Sequence, residues 1–185
     1  MLLLTLFFLK LIIFYVFSFD LKSVSRNWFI TRAKISGIPW DLYVNKRNLQ
    51  EEELTRNKKE IMNTSIIYPD YYKMSFHGYD KGNLEWLAAK EGEPATVSVS
   101  TNYWKNVDPY LSQKWLRNNI TDSLLNYIDY HDRFRFNDLL NKNSKILDLG
   151  CSVGISTKFL KEEFQDNIVE GMDLSPYFLS VAVQR

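Results

Sequence analysis

Five residues near the carboxyl end of the chain have the types and spacing of a nucleoside-binding site: Asp148, Gly150, Ser152, Gly154 and Asp173. The apolar pair Ile146 and Leu147 leads into Asp148. A small-residue turn follows, Asp148-Leu-Gly150-Cys-Ser152-Val-Gly154, then a helical pattern with Ile155, Phe159, Leu160 and Phe164 on its apolar side. Glycine at 150 and 154 lets backbone approach a ligand with no side chain between, and Ser152 keeps the turn small. A second apolar run, IVEGMD, ends in Asp173, nineteen residues after Gly154. A carboxylate there accepts hydrogen bonds from both hydroxyls of a ribose, and charged hydrogen bonds contribute roughly 1.5 to 3 kcal/mol each.

These residues need a strand, loop, helix, strand unit to hold them. Successive apolar residues at 146 and 147 predict a strand buried on both faces of a parallel sheet. Ligands of open α/β sheets bind at the carboxyl ends of the strands, where this loop falls. Ser175 and Pro176 predict the start of the next helix, a capping serine with proline in the first turn. A dinucleotide fingerprint needs glycines at offsets of two and three to seat a pyrophosphate. Here the glycines are four apart, with Ile155 where the third small residue belongs.

The pattern of an acid followed by Gly-x-Ser-x-Gly, with the second acid at Asp173, resembles the first motifs of class I S-adenosylmethionine-dependent methyltransferases. The resemblance extends upstream through PDYYKMSFHGYDKGNLEWLAAKEGE to a plastid-type subgroup from plants and algae, covering about Tyr68 to Arg185. It implies S-adenosyl-L-methionine as cofactor, contacted by Asp148, Gly150, Cys151, Ser152 and Gly154, with Asp173 and its neighbour Leu174 at the ribose. It implies neither catalytic residues nor the methyl acceptor. The family has seven strands and this chain offers two, so the expected fold is α/β, an incomplete Rossmann-like class I methyltransferase fold. The acid after a third strand and the acceptor loops are missing, and an inactive fragment is the expectation. A non-catalytic, membrane-associated remnant and a nicotinamide-dependent oxidoreductase fragment are the competing readings.

Upstream, residues 2–19 form an apolar run broken by Lys10, which reads as a signal peptide or a membrane anchor. The acid-free basic stretch from Leu21 to Trp40 has the composition of a transit peptide or of an anchor's positive flank, and either reading leaves it outside the fold. Together they suggest membrane or secretory-pathway entry, and a plastid-type organelle through two-part targeting. The expected boundaries are 1–19 for the apolar segment, 20–62 for a basic then charged linker or helix, 63–143 for a helical, aromatic-rich extension, and 144–185 for the start of the cofactor domain.

Within that extension, Tyr68, Tyr71, Tyr72, Phe76, Tyr79 and Trp86 suit a lid or satellite core, or a stacking surface for a planar substrate. His77 and Asp80 form a candidate polar pair there. A helix starts near Gly82 and Asn83 and ends at Gly92 and Pro94. ATVSVS at 95–100 alternates like a strand, although the resemblance favours continued helix. Asp108 and Pro109 start an amphipathic helix whose stripe, from Leu111 through Trp115, Ile120 and Leu124 to Ile128, has the sheet as its expected partner. Sequons at Asn63 and Asn119 are chance-level matches.

Composition bounds the rest. The net charge of +1 over 185 residues gives no footprint for nucleic acid. A single cysteine, Cys151, excludes an internal disulfide framework, and without a base in view it reads as a small packing residue. Two histidines, His77 and His131, do not suggest a metal cluster.

Overall fold

The computed structural model describes residues 23–131 and 144–185. The apolar segment at 2–19 and the connecting loop at 141–143 lie outside the described residues. Helix α1 covers residues 23–35. It is followed by α2 (Trp40–Leu49), α3 (Glu51–Ile61), α4 (Trp86–Ser100), α5 (Pro109–His131), β1 (Lys145–Leu149), α6 (Ile155–Glu163), β2 (Ile168–Met172) and α7 (Pro176–Ala182). A short 3-10 helix, Asp70–Lys73, lies between α3 and α4. The strands pair in parallel, Lys145 opposite Ile168 and Leu149 opposite Met172, with α6 as the crossover. This mixture of helices with a two-stranded parallel sheet is consistent with the α/β class. Among the described residues no helix is long and apolar enough to cross a membrane.

Helix α4 joins two apolar cores. In one, its Ala88 and Ala89 meet Leu54 of α3, Val153 of the glycine turn, and Phe178 and Val181 of α7. In the other, its Val97 meets Ala33 of α1 with Ile38 and Trp40. Gly92 lets α4 come in this close, because a Cβ there would lie 2.8 Å from a methyl of the fully buried Val153.

The helix also runs further than its sequence predicts. Rather than ending at Pro94, it contains that proline and continues to Ser100. An interior proline loses one backbone hydrogen bond at a cost of about 3 kcal/mol. Pro94 is fully buried, which offsets part of that cost. The strand-like ATVSVS is helical where that conformation buries Val97 and Ser100 against neighbouring helices, and its hydroxyls bond back into the helix. Thr96 donates to the carbonyl of Gly92 at 2.7 Å, Ser98 to Ala95 and Ser100 to Val97, both at 2.8 Å.

The basic stretch assigned by its composition to a place outside the fold is packed into it over residues 23–40. Arg26 finds its acid far along the chain, while Lys34 pairs with the nearby Asp41. Glu91 of α4, only 2% exposed, accepts from Arg26 of α1, from Trp40 Nε1 at 3.2 Å and from the Tyr79 hydroxyl at 2.9 Å.

Two expectations about faces also change. Neither strand is buried on both faces. Ile146, Asp148, Val169 and Gly171 lie on the side of α6, while Leu147, Leu149 and Met172 on the other side are 56%, 76% and 55% exposed. Helix α5 is capped by Asp108, whose Oδ1 accepts from the N–H groups of Tyr110 and Leu111 at 3.0 Å. It packs on α4 near its start, where the buried Ser112 and Ser100 hydroxyls meet at 2.8 Å. Further along, Ile120, Leu124 and Tyr127 of its apolar stripe are exposed rather than set on the sheet.

Replacing Glu91 with alanine leaves Arg26, Trp40 and Tyr79 without their acceptor. The expected loss is roughly 2 to 4 kcal/mol, because the carboxylate is buried and Arg26 only partly so. Urea denaturation of wild type and Glu91→Ala measures it, and a change under about 0.5 kcal/mol would show that α1 docks by other means.

Candidate functional site

The turn between β1 and α6 alternates in backbone handedness, with φ of +80° at Gly150, +52° at Ser152 and +77° at Gly154. This curl directs its N–H groups at the end of β2. Gly150 and Cys151 donate to the Met172 carbonyl at 2.7 and 3.0 Å, and Ser152 donates to Asp173 Oδ2 at 2.9 Å. The other oxygen of Asp173 accepts from the Ser175 N–H at 2.8 Å. Ser175 caps α7 as its sequence predicts, accepting from the Phe178 N–H at 3.2 Å, and its hydroxyl donates to the Asn83 carbonyl at 2.5 Å. Asp173 therefore stands at the carboxyl end of β2, each oxygen held by one backbone N–H and keeping a second lone pair.

The sequence-predicted residues divide by role. Asp173, Ser152 and Gly150 are together at the strand ends, and Leu174 follows with its carbonyl accepting from the Tyr68 hydroxyl at 3.0 Å. Asp148 is turned towards α6, where its Oδ2 accepts from the hydroxyls of Ser156 and Thr157 at 2.6 and 2.7 Å. That carboxylate anchors the first turn of α6. Burial lowers the pKa of Arg117 on α5, while the Asp148 charge acts to raise it.

The glycines have different reasons. A Cβ at Gly150 would meet nothing within 4 Å, so its backbone angle demands glycine and the space before it is open. At Gly154 a Cβ would lie 2.9 Å from Ala182, so closeness to α7 is required there as well.

Cys151 is 3% exposed and lies beside Thr157 and Gly171; a Cβ at Gly171 would come within 3.0 Å of its sulfur. Burial, with the charges of Asp173 and Asp148 adding to it, pushes the thiol up to about 11. A groove of about 490 Å³ opens beside it between α6, β2 and α7, lined by Gly154, Lys161, Leu179 and Arg185 among others, with Asp173 outside it. Among the described residues no three acids, cysteines or histidines stand together as a metal site.

Sequence reasoning missed the supports of the loop. Glu93 of α4 pairs with Arg47 of α2 and with Arg185, and Arg185 Nε donates to the Val153 carbonyl at 2.6 Å. It also left the aromatic block without an address, although its density of tyrosines was the available signal. Tyr68 and Tyr72 stack with centroids 5.6 Å apart and planes 10° from parallel, and they lie near Asp173. His77 serves a turn instead of a polar pair. With φ of +53°, followed by Gly78 at +84°, it reverses the chain between Phe76 and Tyr79. No protein family, no curated protein and no solved structure matches the chain.

Two measurements follow from this geometry. The native fold holds the Cys151 proton more tightly than the unfolded chain, so the thiol's contribution to stability is complete below pH 9 and is lost as pH rises towards about 11. Iodoacetamide is accordingly expected to alkylate native protein at pH 8 far more slowly than urea-unfolded protein; equal rates would show an exposed, ordinary thiol. Gly154→Ala combines a positive φ with contact against Ala182, and a loss of roughly 2 to 4 kcal/mol in chemical denaturation is expected.

Proposed function

We propose that the unit from β1 to α7 is the S-adenosylmethionine half-site of a class I type methyltransferase, with β1 and β2 as the first two strands of a Rossmann-like sheet. The observation that carries this reading is the Asp173 carboxylate, fixed between the N–H groups of Ser152 and Ser175. Its spare lone pairs face a ribose as hydrogen-bond acceptors, and the open space before Gly150 admits the rest of the ligand. The glycine spacing, four apart with Ile155 at the third position, is what speaks against a dinucleotide, since a ribose-binding acid is common to both kinds of site.

When bound, the cofactor supplies an electrophilic methyl group on a sulfonium. The chain's own residues supply position: Asp173 orients the nucleoside, and the curled turn fixes the approach of the methionine end. Membrane association and organelle targeting through residues 2–19 belong to the same proposal. Fractionation of cells expressing the tagged full chain, with and without those residues, tests them; an unchanged distribution rejects both.

Calorimetric titration of S-adenosyl-L-homocysteine tests the site. Asp173→Asn removes the charge from the ribose contact, and one charged hydrogen bond corresponds to a loss of roughly 10- to 150-fold in affinity. Thermal melting of the variant separates this from loss of fold. Equal binding by a folded Asp173→Asn variant rejects the ribose assignment. Preferential binding of a nicotinamide dinucleotide by the wild type rejects the methyltransferase reading.

A further inference from the structure

The stretch before α4 reaches the site from outside the α/β unit. Pro69 opens the 3-10 helix Asp70–Lys73, whose turn brings Tyr72 back over Tyr68 in a near-parallel stack. Two bonds then tie this segment to the strand end. The Tyr68 hydroxyl donates to the carbonyl of Leu174, next to Asp173, while the Asn83 side chain acts to lower the pKa of the Tyr72 phenol. The Asn83 carbonyl in turn receives the hydroxyl of Ser175, whose own N–H holds Asp173.

Both rings are half-buried, whereas Tyr71 between them is 75% exposed. Burial raises the pKa of both phenols, and the nearby Asp173 charge raises each further. An aromatic pair held against the acid that faces a ribose is suited to close the nucleoside side of the site, since stacking tolerates any planar base.

We infer that Tyr68 and Tyr72 form the wall of the cofactor site that contacts the adenosine portion of the ligand, with Tyr72 giving ring contact and Tyr68 fixing the wall to Leu174. This rests on the S-adenosylmethionine reading. The stretch from Tyr68 to Asn83 is then a specificity element for the nucleoside and not a separate satellite core. It selects for ligands that carry a base and a ribose over the amino-acid sulfonium alone.

Two probes separate the parts: S-adenosyl-L-homocysteine, and 5′-methylthioadenosine, which keeps the nucleoside and lacks the amino acid. Calorimetry on the full chain is expected to show Tyr72→Leu weakening both by about tenfold. Tyr68→Phe, which loses only the bond to Leu174, is expected to weaken both by roughly threefold. A second measurement needs no variant. Saturating S-adenosyl-L-homocysteine should slow nitration of Tyr68 and Tyr72 in the wild type by about fivefold or more, leaving Tyr71 unchanged as the internal reference.

Unchanged affinities in folded variants, or unchanged nitration in a wild type that binds, overturn the tyrosine wall and leave the cofactor reading intact. Weakening confined to S-adenosyl-L-homocysteine overturns it too, because the pair would then act at the amino-acid end. A wild type that binds neither probe removes the cofactor reading, and this inference with it.

Discussion

The contact between Gly92 and Val153 is the constraint on which the rest depends. A hydrogen in place of a methyl group lets α4 lie directly on the turn that carries the site. The apolar core on one side of that contact holds α3 and α7, and further along α4 a second core holds α1 and the start of α2. Charge reinforces the same junction. Glu93, one residue along α4, holds Arg185, and Arg185 holds the Val153 carbonyl. The turn is thus held from the helical side as well as from its own sheet, and the helical extension and the α/β unit share one core.

Asp173 links the two halves of the candidate site. Its oxygens tie the turn after β1 to the start of α7, so the residue proposed to meet a ligand also sets the local shape. Asp148, equally prominent in sequence, is committed to the first turn of α6. Two acids at the ends of neighbouring strands therefore have different duties. The distinction comes from which side of each strand they occupy and which hydroxyls lie within reach.

Much of this unit was legible in the sequence because its determinants are local. The acids, the small turn, the apolar runs and the Ser175–Pro176 cap are read within a few residues of one another. What was not legible depends on distant partners. Nothing near Arg26 announces Glu91, which lies 65 positions away, so a basic stretch without acids looked like an unfolded leader. Pro94 looked like a helix end, and ATVSVS was ambiguous between a strand and continued helix, because local rules score the missing N–H and the alternation. They do not score burial of the proline or hydroxyls that bond to carbonyls three and four positions back. The strands' adjacent apolar residues marked where the strands lie, but which face is covered is a property of the neighbours.

The alternating handedness of residues 150, 152 and 154 bears on how this turn accepts mutation. A β-branched or bulky replacement at any of the three strains the backbone before it touches a ligand, and at 154 it also drives into Ala182. Purely structural pressure would hold these positions to glycine, serine or another small polar residue even in a descendant that had stopped binding. The small-residue signature therefore records chirality and contact first. The proposed ligand contact falls to the side chain of Asp173, which is itself held by shape as well, because its two oxygens tie the turn to the start of α7.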